Sequence, residues 1–168
     1  MFKKEYLSTY ITWGLIAAIA FCIPMLVYLN LDNYQNTWLL FLGNGLFLVV
    51  IATYMLNFNK MKGGDASTQT QVAAGHIATA IGIIISCIVA AIAISVFIPD
   101  VFSSGMSYKA LENAPSQTGT GKTHGLIFFV FMSAIIGNVC GGSFASIMLP
   151  YTAKRNQTKD RKSEVLNN

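Results

Sequence analysis

Residues 77–98 read IATAIGIIISCIVAAIAISVFI, and the charge-free block that contains them runs from residue 66 to residue 99. A bilayer's hydrocarbon core is about 30 Å thick, so a helix needs about 20 apolar residues to cross it. Apolar side chains occur all round the helical wheel of this run, which leaves no polar face for water. It also lacks the period-2 alternation of a membrane barrel strand. Inside lipid the backbone must satisfy its own hydrogen bonds, so the run predicts a membrane-crossing helix.

Three further blocks have the same character: residues 6–31, 33–59 and 123–153 contain no Asp, Glu, Lys or Arg. Spans are predicted near residues 10–29, 38–56, 77–98 and 126–149. Together they make an all-α, integral membrane four-helix bundle occupying residues 1–153. The composition agrees, with 54% hydrophobic and 11% charged residues, against about 25% charged in a typical soluble domain. This excludes a soluble enzyme, a disordered chain and a disulfide scaffold. Lys3 and Lys4 precede the first run as in a signal peptide. That run is long for a signal, however, and no small-residue cleavage site follows it. Bulky Phe21 before Cys22 also disfavours lipoprotein processing, so the first helix is read as retained.

Basic residues stay on the cytoplasmic side during insertion. With both termini inside, nine of the 11 Lys and Arg residues fall inside and two, Lys109 and Lys122, outside. Both termini are therefore expected in the cytoplasm. The short 30–37 connection implies that the first two helices are antiparallel neighbours. Gly63-Gly64 breaks the chain after the second span, and Asp65 or Ser67 is placed to cap the next helix. Residues 68–74 contain no breaker, so either the third helix starts about two turns before the hydrocarbon or a flexible polar loop precedes it. Pro99 ends the third helix and Pro150 the fourth. Pro24 is expected to kink the first helix near Ala20. Residues 103–123 read as a long outer loop, and residues 154–168 as a basic, disordered cytoplasmic tail.

Lipid supplies no hydrophobic force between helices, so close packing over small residues must hold them together. Ser133, Gly137, Gly141 and Ala145 recur every four residues, and Ala134, Asn138, Gly142 and Ser146 form an adjacent row. The third helix carries Ala74, Ala78, Gly82, Ser86 and Ala90, and the first carries Gly14, Ala18 and Cys22. The third and fourth helices are expected to form the tightest pair, with Gly82, Gly137 and Gly141 as packing positions. Docking of a second copy or another membrane protein is the other use of such a row.

Asn44 and Asn138 are the most polar side chains in the spans, and both are expected to face the bundle interior as interhelical hydrogen-bonding groups. Lining a solute path is the alternative use. The spans hold no carboxylate or basic group, which disfavours proton-coupled transport and acid–base or metal catalysis. Cys22, Cys87 and Cys140 lie in separate helices without a Cys-x-x-Cys pair, so they read as packing residues. His76 and His124 fall at opposite membrane faces and make no metal site. Gly119-Thr120-Gly121-Lys122-Thr123 resembles the end of a phosphate loop, but Ser116 occupies the first glycine's position and no strand precedes it. No catalytic residue, cofactor or metal site is predicted. Tyr10, Trp13, Tyr34, Trp38 and Tyr151 suit the headgroup level. The tail's Lys154, Arg155, Lys159, Arg161 and Lys162 suit anionic lipid headgroups; without aromatic interleaving they do not suggest nucleic acid.

Length, helix spacing, Gly63-Gly64 before the third helix, Phe97-Ile98-Pro99-Asp100 after it and a short basic tail resemble an uncharacterised family of small bacterial membrane proteins with four predicted helices. The resemblance implies a multi-pass protein of the bacterial cytoplasmic membrane and carries over no catalytic or binding residue. The functional expectation is a non-enzymatic accessory or assembly component. The alternative is a small oligomeric channel, holin-like pore or permease with Asn44 and Asn138 along its path.

Overall fold

The computed structural model describes residues 4–31, 34, 36–61, 67–98 and 122–165. The apolar runs become α1 (Lys4–Asn30), α2 (Trp38–Met61) and α3 (Thr68–Phe97). The fourth run begins as α4 (Lys122–Met132), widens into a π turn (Ser133–Gly137) and continues as α5 (Asn138–Val165). The described chain is thus all-helical. Its four helical elements are long and apolar enough to cross a membrane, over Tyr6–Asn30, Trp38–Phe58, Thr68–Phe97 and Gly125–Thr152.

The ends of these elements follow local chemistry. Ser67 is extended and its hydroxyl accepts from the Thr70 backbone N–H at 3.2 Å, a side-chain cap that starts α3 well before residue 77. Of the two sequence alternatives for residues 68–74, the early helix start is the one observed. At the other end of the α1–α2 pair, the Tyr28 hydroxyl donates to the Tyr34 carbonyl at 3.1 Å and closes the short turn. Pro24 lies buried within unbroken α1.

Two boundaries differ from expectation. Pro150 does not end the fourth helix, because α5 continues through it to Val165. Proline removes one backbone donor, but residues 151–165 contain no further Pro and no Gly to stop the helix. The fourth span is also not one uninterrupted α-helix. Of the outer loop expected over residues 103–123, Lys122 and Thr123 instead begin α4, and the rest, with Gly63-Gly64 and Asp65, lies outside the described residues.

Helix register can be read from what a Cβ on each glycine would meet. A Cβ on Gly14 would lie 2.9 Å from the Ala78 carbonyl, and one on Gly82 would lie 3.1 Å from the Gly14 carbonyl and 2.8 Å from the Phe47 ring. α1 and α3 therefore lie side by side at this level. Gly75 meets Ser146 and Met55, while Gly142 meets Thr79, which makes α3 and α5 antiparallel. Gly137 meets Asn44 and Gly141 meets Leu48, so α2 and the fourth span are parallel. Aromatic pairs Trp13–Tyr54 and Tyr6–Phe58, at 5.6 and 6.1 Å, place α1 antiparallel to α2. α1 and the fourth span occupy opposite corners of the bundle. α3 divides its small face between α1 and α5, so the close packing expected of the third and fourth helices alone is shared by two pairs.

Along α3 the bundle is small inside and oily outside. Ala74, Ala78, Gly82, Ser86 and Ala90 of α3 are buried. On the same helix Ile84, Ile88, Ile92 and Val96 are 60, 56, 60 and 68% exposed. Phe21, Met25, Phe47 and Ile51 fill the middle of the bundle.

These contacts set the sign of glycine substitutions. Gly45 has nothing within 4 Å of a Cβ, so Gly45→Ala should leave the thermal unfolding midpoint unchanged or raise it, by up to about 1 kcal/mol of helix propensity. Gly82→Ala should lower it, at a cost of about 1–3 kcal/mol, because the Phe47 ring and the Gly14 backbone leave no room. Equal midpoints for the two variants would contradict this register.

Candidate functional site

The strongest candidate site lies where α2 passes the π turn. Gly43 faces α1, where a Cβ would stand 3.0 Å from Phe21, and Gly45 faces open space. Asn44, between them, is left directed at the fourth span. Its Nδ2 donates to the Ser133 hydroxyl oxygen at 2.9 Å. The amide lies against Gly137, whose Cβ, if present, would stand 2.7 Å from the Asn44 Cγ. Glycine at 137 is therefore a condition for this hydrogen bond. The other amide atom, Asn44 Oδ1, is buried and has no hydrogen-bond partner.

Beside this pair is a cleft of about 300 Å³. Leu40, Phe41, Phe128, Phe129, Met132 and Ile136 form most of its walls, and although Thr37, Asn44, Ser133 and Gly137 also line it, the surface it presents is almost wholly apolar. Phe41 is 73% exposed and Ile136 48%, so the cleft opens on the outer surface of the bundle. None of its lining residues carries a charge.

Asn138, the other asparagine of the spans, is fully buried and behaves differently. Its backbone N–H bonds to the Ile135 carbonyl, three residues back, at the end of the π turn. Its side-chain Nδ2 donates at 3.0 Å to the Ala134 carbonyl, four residues back. Asn138 thus supplies from its side chain a donor to the carbonyl that its own amide would serve in a regular α-helix. Its Oδ1 is buried without a partner, as is Thr79 Oγ1, which packs on Gly142 one turn along α5. Asn44 links two helices, whereas the hydrogen bond of Asn138 stays within its own segment.

The packing glycines sit at three different contacts: Gly82 against Phe47 and the Gly14 backbone, Gly137 against Asn44, and Gly141 against Leu48. Cys22 is buried, Cys87 half-buried and Cys140 exposed, all three as free thiols. His76 Nδ1 donates to the Val72 carbonyl at 2.9 Å, a bond within α3. Among the described residues, no group of three or more His, Cys, Asp or Glu is placed to hold a metal ion. The side chain of His124 and residues 119–121 lie outside the described set. Sequence reasoning counted Ser133 only as a small residue and gave no sign of the π turn, because Gly137 read there as one more member of the small-residue row and SAIIG contains no proline.

None of the known protein families, curated proteins or solved structures matches this chain.

The Asn44–Ser133 bond should be measurable as a coupling. In a double-mutant cycle of Asn44→Ala and Ser133→Ala, unfolding free energies should be non-additive by about 0.6 kcal/mol, and by no more than ~1.7. Strict additivity would mean that the two side chains do not interact.

Proposed function

We propose that this chain is a multi-pass integral membrane protein of the bacterial cytoplasmic membrane. Both termini face the cytoplasm, and the chain works as a non-enzymatic accessory or assembly component. The observation that carries the membrane reading is the inversion of the bundle, with Ala, Gly and Ser inside α3 and Ile84, Ile88, Ile92 and Val96 outside. In water this arrangement would expose a continuous apolar surface on every helix. In hydrocarbon it costs nothing, and the small inner faces provide the close approach that helix association in lipid requires.

The hydroxyls on the outer surface support the same reading. Thr12, Thr53, Ser95 and Thr152 are exposed, and each donates to the carbonyl four residues back on its own helix, at 2.7–2.9 Å. A hydroxyl satisfied by its own backbone needs no water. The excess of Lys and Arg in the N-terminal segment, the 57–76 connection and the tail supports cytoplasmic termini. The same basic tail suits contact with anionic headgroups.

The packed interior favours a supporting component over a pore within one bundle. Phe47 closes on Gly82, Asn44 is bonded to Ser133, and Asn138 is bonded to its own backbone. A second copy or another membrane protein is the partner that this reading requires.

Ile88→Lys gives the membrane reading a sign. On a water-facing surface the change is close to neutral; at the middle of a span it should cost about 2.5–3.5 kcal/mol of insertion free energy. A glycosylation-based insertion assay reads this directly, and unimpaired insertion, or a chain that purifies as a monomer without detergent, would overturn the reading. A reporter fused after Asn168 should be active in the cytoplasm. Purification in mild detergent should retain a stoichiometric membrane partner or a homo-oligomer. Solute flux into proteoliposomes that is lost on Asn138→Leu would instead establish a conducting role.

A further inference from the structure

The stretch of the fourth span that is apolar enough to cross a membrane ends at Thr152, yet α5 continues as helix to Val165. At about 1.5 Å per residue this adds about 20 Å of helix. The extension carries five basic residues, Lys154, Arg155, Lys159, Arg161 and Lys162, and two acidic ones, Asp160 and Glu164. We propose that it is a binding surface for anionic lipid headgroups, created by the register of its charges with the outward side of the span. The proposal rests on the membrane reading and cytoplasmic C-terminus given above, and it names the face through which the tail meets headgroups.

The register follows from helix geometry. About 18 residues make five turns of α-helix, so positions at that interval lie on one line along the axis. Asp160 and Glu164 follow Gly142 and Ser146 by this interval, and those two residues pack against Thr79 and Gly75 of α3. Lys162 follows exposed Phe144 by the same interval. Phe144, Ile147, Met148 and Tyr151 form the exposed side of α5. In steps of about 100°, all five basic positions fall within about 80° of Tyr151, and both acidic positions within about 40° of the opposite side. Retention of a terminus in the cytoplasm depends on the number of basic residues and needs no particular side. Segregation in line with the exposed apolar stripe is a further property, and it sets the cations toward the surrounding lipid.

Pro150 gives the extension its direction. It is buried within α5, and a proline ring crowds the carbonyl four residues back, here that of Ser146. A helix opens on the side of such a clash. A bend at Pro150 therefore carries the extension away from the bundle and lowers its basic side toward the leaflet. Distance makes this bend matter. Attraction to anionic headgroups falls off within a Debye length, about 8 Å at physiological salt. An upright helix would carry Lys162 about 15 Å beyond Thr152, whereas a leaning one keeps it in reach.

The test reconstitutes the full chain in phosphatidylcholine vesicles with trace spin-labelled phosphatidylglycerol or phosphatidylcholine. Electron spin resonance then reads how much of each label is held at the protein. Phosphatidylglycerol should be preferred by roughly twofold to fivefold, and the preference should shrink as salt rises. An exchange variant combines Arg155→Asn with Asn156→Arg, and Gln157→Lys with Lys162→Gln. Its composition and net charge are unchanged, but two basic positions leave the outward side. The excess should fall to half or less in this variant, and also in Thr158→Pro, which interrupts the helix and keeps every charge. A preference equal to wild type in either variant would reduce the tail to its charge and overturn the proposal. So would the lack of any preference in the wild-type chain, the outcome expected of a basic side that serves an acidic protein or nucleic acid. The two readings fail separately. A chain that is monomeric without detergent ends the membrane reading before any lipid is tested. A chain that reconstitutes and treats both lipids alike ends the headgroup surface alone.

Discussion

Helix backbones that touch are the constraint on which this bundle depends. Where Gly14 meets Ala78 and Gly82 meets Gly14, and where Gly75 and Gly142 receive Ser146 and Thr79, there is no space for even a methyl group. Such approach brings many atoms into dispersion contact. It also draws small polar groups onto the facing helix, Thr79 onto Gly142 and Ser146 onto Gly75. The large residues are left for two places, the filled centre around Phe21 and Phe47 and the outer surface. A bundle of this kind is poorly suited to water, since large apolar side chains such as Ile23, Phe41, Val96 and Phe144 face out on every element.

Much of the fold was legible in the sequence because long runs without charge leave few alternatives to long apolar helices. Charge-free blocks locate the four apolar elements, and residues repeating every four positions mark which faces are small. The partner of each face was not legible. The row at 133, 137 and 141 meets α2, Gly142 and Ser146 of the adjacent row meet α3, and Gly82 meets α1 and α2. A stripe of small residues gives permission to approach and carries no information about which helix does so. Helix ends were readable where a side chain caps them, as at Ser67. They were misread at Pro150, where a missing donor was taken as a stop although the following residues continue the helix.

The two asparagines show how much of a site depends on context that sequence does not display. Each lies beside glycine in an apolar span, and on type alone they are equivalent. Gly137 opens a space that Asn44 enters from α2, so its amide reaches Ser133 on another helix. Asn138 follows the π turn directly, and its side chain is used by the carbonyl of Ala134. The first is therefore available to shape a cleft, and the second to maintain an irregular turn. Exchange of their environments, and not of their chemistry, would exchange their roles.

The π turn ties packing to the cleft. In a regular α-helix a row of every fourth residue winds about 40° per step around the axis, since 3.6 residues make a turn. Over Ser133, Gly137 and Gly141 that winding would carry the row progressively away from a neighbour lying alongside. A π turn holds more residues per turn and so rotates less per residue, which takes back part of the drift between Ser133 and Gly137. Ser133 and Gly137 consequently both meet Asn44, and Gly141 still meets Leu48 one turn further along the same neighbour. The wider turn also leaves carbonyl geometry that a plain α-helix would not, and Asn138 is positioned to answer it. The irregularity that lets one face of the fourth span follow α2 is thus the irregularity that forms the wall of the cleft.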